Sequence, residues 1–336
     1  MEHAVVIALP PGYRIVDVLA FHGRDLEAVA EQVDAHGLRK GVLLDGVPTL
    51  LDIAFDGDSA RCRIVFDAPL TEADAPGADG RSTLPPQSQQ PRQPLQPYVS
   101  TPPAASHLHA LAHDALLNIL GLRIDPSEFA AFARDDAMLG PILARQPGLR
   151  IIQSGTVFEA LTWAIIGQQI NLSFAIALRR TLILQAGRRH ASGLWCYPEA
   201  RGVARLDIAQ LTSRKFSQAK ADTILRVARM IEAGNLSLER TRDPLEVGRE
   251  LLAIKGIGPW TVNYVLLRGF GYPDCSLHGD VAVRAALHQL GAGAERPSVQ
   301  DAERLLERYA PHRTMAAAYL WASLSEKPGP ATDVCQ

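Results

Sequence analysis

The sequence predicts an α+β fold, in which a mixed α/β N-terminal domain precedes a larger all-helical domain. Three observations support this prediction: strand-like runs rich in branched residues before residue 70, a stretch dominated by Pro, Gln and Ser at 84–103, and helical spacing of apolar residues from His107 onward. We therefore divide the chain into an N-terminal domain (1–78), a linker (79–104), a helical domain (105–326) and a tail (327–336).

The N-terminal domain is predicted to contain strands and a helix. Gly and Asp turns separate its short apolar runs, which is the pattern of strands in a sheet. The predicted strands cover residues 5–9, 40–44, 50–55 and 61–66. Apolar residues at helical spacing predict a helix over 26–36.

The second domain is predicted to be helical almost throughout. Apolar residues recur at helical spacing near 108–116, 158–165, 224–231 and 305–309. The preceding Pro/Gln stretch cannot bury a core and predicts a flexible or polyproline-like linker.

Length and composition indicate a globular protein of two to three domains. The chain has 336 residues, 47 % of them hydrophobic and 21 % charged. No run reaches the roughly 18 uninterrupted apolar residues of a membrane span. Glu2 and the short apolar run after it argue against a signal peptide. We expect a cytoplasmic protein, a monomer with no membrane partner.

The cysteines argue against a metal site. Cys62, Cys196, Cys275 and Cys335 lie far apart and form no CxxC pair. Zinc and iron–sulfur sites use clustered thiolates, so we expect free thiols and no bound metal of either kind.

The charge is divided unevenly along the chain. Residues 1–100 carry 14 acidic and 8 basic side chains, a net charge of −6, so the remainder carries +4 because the whole chain has −2. A mildly basic second part is compatible with a DNA-facing surface, and equally with an ordinary solvated mixture of charges.

Residues 243–268 predict two helices joined by a tight turn. Asp243 and Pro244 are a typical helix start, and the helix stops at the sequence KGIG before Pro259 opens the second helix. Glycine permits unusual dihedrals and close approach of another chain, and amides at a helix start attract an anion such as a DNA phosphate. An ordinary helical hairpin is the alternative.

Asp280 stands twenty residues beyond Trp260, between a loop and an apolar helical run. An Asp at that place is typical of a helix N-cap. Taken with the preceding hairpin, it is also a candidate for a functional carboxylate.

These residues together resemble the helix-hairpin-helix DNA glycosylase superfamily, and most of all its bacterial 3-methyladenine DNA glycosylase II branch. The resemblance rests on IKGIGPWTVNY at 254–264 with Asp280 downstream. FEAL at 158–161, IIGQQ at 165–169, the segment 216–228, PHR at 311–313 and YLW at 319–321 agree in order. The match covers about 107–324, so the second domain is expected to be a helix-hairpin-helix glycosylase domain.

The resemblance implies a role for each matching residue. Asp280 is the catalytic carboxylate, which stabilises the positive charge that develops on the sugar as a flipped base leaves. The base pocket is lined by Trp260, Tyr264 and Trp321, with Phe21 added from the N-terminal domain. Aromatic faces suit a cationic alkylated purine, although core packing is the alternative for each ring.

The resemblance also implies the contacts with DNA. Gly256, Ile257, Gly258 and Thr261 form the hairpin against the backbone of damaged double-stranded DNA. The wedge that fills the gap left by the flipped base falls at Gln169, or at Ile170 if the register differs by one. A monovalent cation can bridge the hairpin and a phosphate, and no organic cofactor is expected.

We expect a monofunctional glycosylase that releases alkylated purines of the 3-methyladenine type. Lyase-competent relatives place a lysine where this chain has Trp260, which has no nucleophile. Two alternatives remain open: a glycosylase for deaminated or oxidised bases, and a non-catalytic hairpin module that only binds DNA. The basic candidates for phosphate contacts are Lys215, Lys220, Arg226 and Arg229, although a solvated helix face explains them equally.

Overall fold

The structure is a computed structural model that describes residues 1–67 and 104–325. The N-terminal strands are β1 (Glu2–Ala8), β2 (Glu31–Val33), β3 (Gly37–Leu44), β4 (Val47–Asp56) and β5 (Ser59–Phe66), and helix α1 (Ile15–His22) lies between β1 and β2. Within the described residues these strands form one antiparallel sheet in the order β1-β5-β4-β3-β2.

The α+β fold class and the predicted strands are confirmed. Turn chemistry explains the central hairpin: Asp45 and Gly46 both have positive φ, 49° and 77°, which matches the right-handed twist of β3 and β4. The register that follows pairs Leu44 with Val47. The first five residues of β4 are all buried, so both faces of the sheet are covered there.

The helix predicted over residues 26–36 is wrong. Ala28 has φ 50°, which ends any right-handed helix there, and residues 31–33 pair with β3 as strand β2. The helical spacing was misleading because strand contacts, and not a helix face, bury Ala30. The Ala30 carbonyl oxygen accepts a hydrogen bond from the Gly41 amide. The helix that the structure describes in this domain is α1, which ends at His22, four residues before the predicted span begins.

The rest of the described chain is mainly helical, as predicted. The helices are α2 (Ala105–Ile119), α3 (Pro126–Phe132), α4 (Gly140–Arg145), α5 (Val157–Gly167), α6 (Leu172–Ala186), α7 (Ala200–Ala204), α8 (Ile208–Thr212), α9 (Gln218–Glu232), α10 (Pro244–Leu252), α11 (Pro259–Val265), α12 (Val281–Gln289), α13 (Val299–Glu307) and α14 (Arg313–Ser325). A π-helical turn, Leu266–Phe270, continues α11, and two short strands, β6 (Arg188–Arg189) and β7 (Trp195–Cys196), pair with each other. No helix in the described ranges is long and apolar enough to span a membrane.

Two hydrophobic cores organise this architecture. Helix α2 packs on the sheet, where Leu108, Ala112 and Leu116 are buried in one cluster with Leu51 and Ile64. The later helices surround a second core. Of the predicted linker at 79–104 only Ala104 is described, and the predicted tail at 327–336 lies outside the described residues.

A buried group of charged side chains joins the sheet to the helices, and we call it the charge cluster. It consists of Glu31 in β2, Lys40 in β3, Glu159 in α5 and Arg179 in α6, each at most 10 % exposed. Lys40 Nζ donates to Glu159 Oε1 at 2.8 Å, and Arg179 donates to Glu31 Oε2 at 2.8 Å and to Glu159 Oε1 at 2.7 Å. Each carboxylate is therefore shared by both cations.

The charge cluster keeps its carboxylates ionised. Burial raises the pKa of Glu31 and Glu159, but the nearby Arg179 and Lys40 outweigh it and hold both pKa values below their usual range. Because the folded-state pKa values are lowered, the stability that these groups contribute is fully present above the unfolded value of 4.5 and is lost as pH falls through the folded values.

Replacing Glu31 by Gln is expected to lower the free energy of unfolding by about 3–5 kcal/mol, because it leaves buried cations without their counter-charge. Urea denaturation at pH 7 measures the change. Glu27→Gln is the control: its side chain is 66 % exposed in its pair with Arg180, so the change should stay within about 1 kcal/mol. An equal effect of the two substitutions would contradict a structural role for the charge cluster.

Candidate active site

The hairpin between α10 and α11 has the geometry expected from its sequence. Asp243 caps α10, its carboxylate accepting from the Leu245 amide at 2.9 Å. Gly256 adopts φ 95°, Ile257 turns into the core with 6 % exposure, and Gly258 is the N-cap residue of α11. The turn thus alternates exposed glycine backbone with a buried isoleucine that anchors it.

The two glycines of the turn lie in different surroundings. A Cβ on Gly256 would lie 2.3 Å from Thr223 Oγ1 in α9, so this glycine allows the hairpin to pack on α9. A Cβ on Gly258 would meet nothing within 4 Å. Fold packing therefore leaves Gly258 free to vary, and space beside it is open to another molecule.

The start of α11 presents unused backbone donors. Among the described residues, the backbone N–H groups of Gly258, Trp260 and Thr261 donate to no acceptor, and no side chain caps this helix. Such donors at a helix start are suited to an anion such as phosphate.

Asp280 is held in one orientation by backbone amides and by indoles. As the N-cap residue of α12 it accepts from the Ala282 and Val283 amides through Oδ1, both at 2.9 Å. Trp321 Nε1 also donates to Oδ1, at 3.2 Å, and Trp260 Nε1 donates to Oδ2 at 2.8 Å. The carboxylate is half-buried, so it is neither sealed in the interior nor turned away from the hairpin.

The N-cap interpretation and the functional one are compatible in this geometry. Oδ1 accepts the hydrogen bonds that cap α12. Oδ2 accepts a hydrogen bond from the Trp260 indole and can accept another. The cap holds the carboxylate still, which is what electrostatic stabilisation of a developing positive charge requires.

Aromatic rings gather beside this carboxylate. The ring centroids of Trp260 and Tyr264 are 5.2 Å apart, and Tyr264 Oη accepts from Trp163 Nε1 at 2.9 Å. Phe21 and Trp321 are half-buried and join the group through a shared neighbour, Arg268. The sequence-predicted aromatic residues are therefore brought together, and Trp163 in α5 is an addition.

Two arginines lie among the rings, and we call them the pocket arginines: Arg24 and Arg268. The Arg268 guanidinium lies 4.8 Å from the Phe21 centroid, 5.4 Å from that of Trp321 and 5.8 Å from that of Tyr264. The Arg24 guanidinium lies 3.8 Å from the Phe21 centroid and 5.4 Å from that of Trp163.

Sequence reasoning did not assign a role to either pocket arginine. A signal for Arg268 was present: Trp260, Tyr264 and Arg268 follow at intervals of four, which places them on one helix face. Arg24 comes from the N-terminal domain, and nothing in the sequence indicates that it meets Trp163 in α5.

The loop after α5 carries the two predicted wedge residues. Gln168 Nε2 donates to Gly256 O at 3.0 Å and to Thr261 Oγ1 at 2.9 Å, which ties the loop to the hairpin. Gln169 is exposed and has φ 55°, a strained conformation for a residue with a Cβ. Ile170 is half-buried and packs against the helical core, so Gln169 is the residue that projects.

Most of the basic candidates for phosphate contacts are used within the protein. Lys220 Nζ donates to the carbonyl oxygens of Ile165 and Gln168, and Arg226 donates to that of Lys255 at 2.9 Å. Arg229 donates to the carbonyl oxygens of Ala204 and Leu206. Lys220 and Arg226 therefore position the loop after α5 and the hairpin, and Arg229 binds the end of α7. Lys215 is exposed at a turn with φ 72°.

No metal-binding cluster is visible in residues 1–67 and 104–325. Within those ranges, no group of three or more His, Cys, Asp or Glu side chains could hold a metal ion. His278, next to Asp280, contacts Ser276 Oγ through Nδ1 at 2.9 Å.

Comparison with known sequences gives a consistent set of relatives. Residues 162–312 match the family profile described as "HhH-GPD superfamily base excision DNA repair protein". The chain is 30 % identical over 205 residues to a DNA-3-methyladenine glycosylase of Bacillus subtilis, which is 60 % of this chain and 68 % of the relative. It is 31 % identical over 188 residues to the B. subtilis protein YfjP, named for the same activity, which is 55 % of this chain and 65 % of that protein. The chain spans about two thirds of the length of these curated relatives.

A solved structure shows the same fold over nearly the whole chain. The 3-methyladenine DNA glycosylase from Archaeoglobus fulgidus superposes with a TM-score of 0.70 at 20 % identity, covering 95 % of this chain and 97 % of the other. The α+β architecture, sheet domain included, is therefore shared.

The hairpin glycines give a matched pair of substitutions. Gly256→Ala is expected to lower the free energy of unfolding by about 1–3 kcal/mol, because the new Cβ meets Thr223 and the backbone remains at φ 95°. Gly258→Ala should lower it by no more than about 1 kcal/mol, because its Cβ enters open space and only the poorer capping of α11 by alanine is added.

Urea denaturation measures both variants of this pair, and DNA affinity is measured on the folded Gly258→Ala protein. A loss of DNA affinity in the Gly258→Ala protein, while it remains folded, would show that another molecule approaches this backbone. Affinity equal to that of the unmodified protein would exclude close approach at Gly258.

Proposed function

The chain belongs to the HhH-GPD superfamily of base excision DNA repair proteins, in its branch of bacterial 3-methyladenine DNA glycosylases, and we propose that it is a monofunctional DNA glycosylase. Its substrate is damaged double-stranded DNA, from which it releases alkylated purines of the 3-methyladenine type. The products are the free base and an abasic site in an uncut strand.

The orientation of Asp280 beside the hairpin is the observation that carries this proposal. As the N-glycosidic bond breaks, positive charge develops on the sugar, and a fixed carboxylate stabilises that state. Trp260 and Trp321 each donate to the carboxylate, so the residues that would line the base pocket also hold the acid. A hydrolysis of this kind consumes only water, so the chemistry requires no organic cofactor.

The remaining steps use backbone and aromatic groups. The free amides near Gly258 hold a phosphate and position the DNA without reading its sequence. The target nucleotide leaves the stack, because its glycosidic bond is out of reach inside the duplex. Gln169 then fills the vacated space: it projects on a strained backbone, and Gln168 fixes its loop against the hairpin.

Replacing Asp280 by Asn is expected to reduce base release by at least a thousandfold, because the negative charge beside the sugar is lost. Asn caps a helix about as well as Asp, so α12 and the fold should be kept. Release of 3-methyladenine from methylated duplex DNA measures the rate, and a filter or gel-shift assay on the same duplex measures binding.

Unchanged DNA binding beside this loss of activity is the expected result of the Asp280→Asn experiment. Base release close to that of the unmodified protein would refute the assignment of the carboxylate and favour a hairpin that only holds DNA. Release of a deaminated or oxidised base without release of 3-methyladenine, measured on a panel of duplexes, would favour the alternative glycosylase.

A second expectation concerns strand cleavage. The position corresponding to the lyase lysine holds Trp260, whose indole cannot form a Schiff base. Incubation with alkylated DNA should therefore leave alkali-labile abasic sites in intact strands, and borohydride should trap no covalent complex. Nicked product together with a trapped complex would contradict a monofunctional enzyme.

A further inference from the structure

Arginine guanidinium groups already lie against most aromatic rings of the candidate pocket. Among the described residues, a guanidinium lies over Phe21, Tyr264, Trp321 and Trp163, and Trp260 is the ring of this group without one. A separate cavity beside Phe21, Arg24 and Trp163, which Asp25, Glu31 and Glu159 also line, measures about 30 Å³, which is room for a water molecule and not for a purine. A base that lies against these rings therefore lies beside the pocket arginines.

In the part of the chain that the structure describes, neither pocket arginine forms an ion pair with an acidic side chain, although the charge of Glu31 acts on Arg24 and raises its pKa against the larger effect of burial. The hydrogen bond found for the Arg24 side chain runs from Nε to the carbonyl of Phe21, at 2.7 Å, and Arg268 donates to the carbonyl of Ile152. Burial lowers the pKa of Arg24 to about 10, so it remains charged at neutral pH. Donor groups and positive charge are both left over for a ligand.

This charge affects neutral and cationic bases in opposite ways before reaction. A purine methylated at N7 or N3 carries a positive charge in DNA and is repelled by the two guanidinium groups. A neutral modified purine, such as hypoxanthine with its oxo oxygen, instead offers acceptors to their unused N–H groups.

The same charge acts again as the bond breaks. The C1′–N9 bond cleaves with both electrons going to the base, and the oxygen of water adds to C1′. The proton released by that water ends on the base when the purine is neutral, and passes to solvent when the purine is cationic. A cationic purine departs as a neutral molecule, whereas a neutral purine acquires negative charge until it is protonated. A fixed guanidinium lowers the barrier only in the second case.

We propose that Arg24 and Arg268 are specificity-determining residues that favour release of neutral modified purines over cationic ones, by donating to the base and stabilising its charge as it departs. This inference rests on the proposed glycosylase function. Cationic bases remain substrates, because their own charge already weakens the glycosidic bond, but the arginines give them no assistance.

The test compares single-turnover rates on two duplexes, one with hypoxanthine and one with 7-methylguanine. The proteins are the unmodified chain, Arg24→Gln, Arg268→Gln and the charge-keeping Arg268→Lys. The ratio of the hypoxanthine rate to the 7-methylguanine rate should fall at least tenfold in each Gln variant, and Arg268→Lys should keep most of it. The matched control is Arg308→Gln, an exposed guanidinium over Tyr309 that contacts none of the pocket rings in the described residues.

The outcomes separate this inference from the proposed function. A ratio within twofold of the unmodified protein in both Gln variants would overturn the inference, as would release of 7-methylguanine without any release of hypoxanthine. Release of 3-methyladenine but of neither of these two bases would also overturn the inference, whereas release of none of the three bases by the unmodified protein would refute the glycosylase itself. If thermal melting shows that Arg268→Gln does not fold, Arg24→Gln decides, since its side-chain hydrogen bond lies within its own turn.

Discussion

The site depends on the buried charge cluster that holds the N-terminal sheet against helix α5. From the sheet, Lys40 donates to Glu159 in the first turn of α5, and Glu31 accepts from Arg179 in α6. Trp163 follows one turn later in that helix, and the wedge loop follows its last residue. Moving the sheet relative to α5 would separate Phe21 and Arg24 from the rest of the pocket. Buried ion pairs contribute little net stability in general, but they permit few alternative arrangements, and here that fixes where the two parts meet.

Positioning in this molecule is done repeatedly by side chains that bind backbone carbonyl groups. Lys220 binds carbonyl groups at the end of α5, Arg226 binds one in the hairpin, and Gln168 joins the wedge loop to the hairpin. Three of the four basic candidates for phosphate contacts, Lys220, Arg226 and Arg229, are therefore part of the scaffold. The groups left for DNA are mainly backbone amides, which suits a protein that recognises a duplex regardless of its sequence.

Asp280 is both the N-cap residue of α12 and the proposed catalytic carboxylate. As a helix N-cap, Asp280 satisfies amides that would otherwise be unpaired at the start of α12. The same hydrogen bonds, with those from Trp260 and Trp321, hold its carboxylate beside the group of aromatic rings. Rigid fixation removes the reorganisation that a mobile carboxylate would undergo as charge develops on the sugar. Local stability and the proposed chemistry are served by one set of hydrogen bonds.

Local pattern was sufficient for the fold class, about half of the described helices and the hairpin with its downstream acid, because these follow from propensity, turn chemistry and spacing along the chain. It failed at residues 26–36, where burial comes from strand pairing and not from a helix face. It could not reveal that Arg24 lies against Trp163, or that Glu31 meets Arg179, because those contacts join residues more than a hundred positions apart. Charges brought together over such separations depend on the packing of whole elements, and so only the tertiary structure decided the electrostatic character of the pocket.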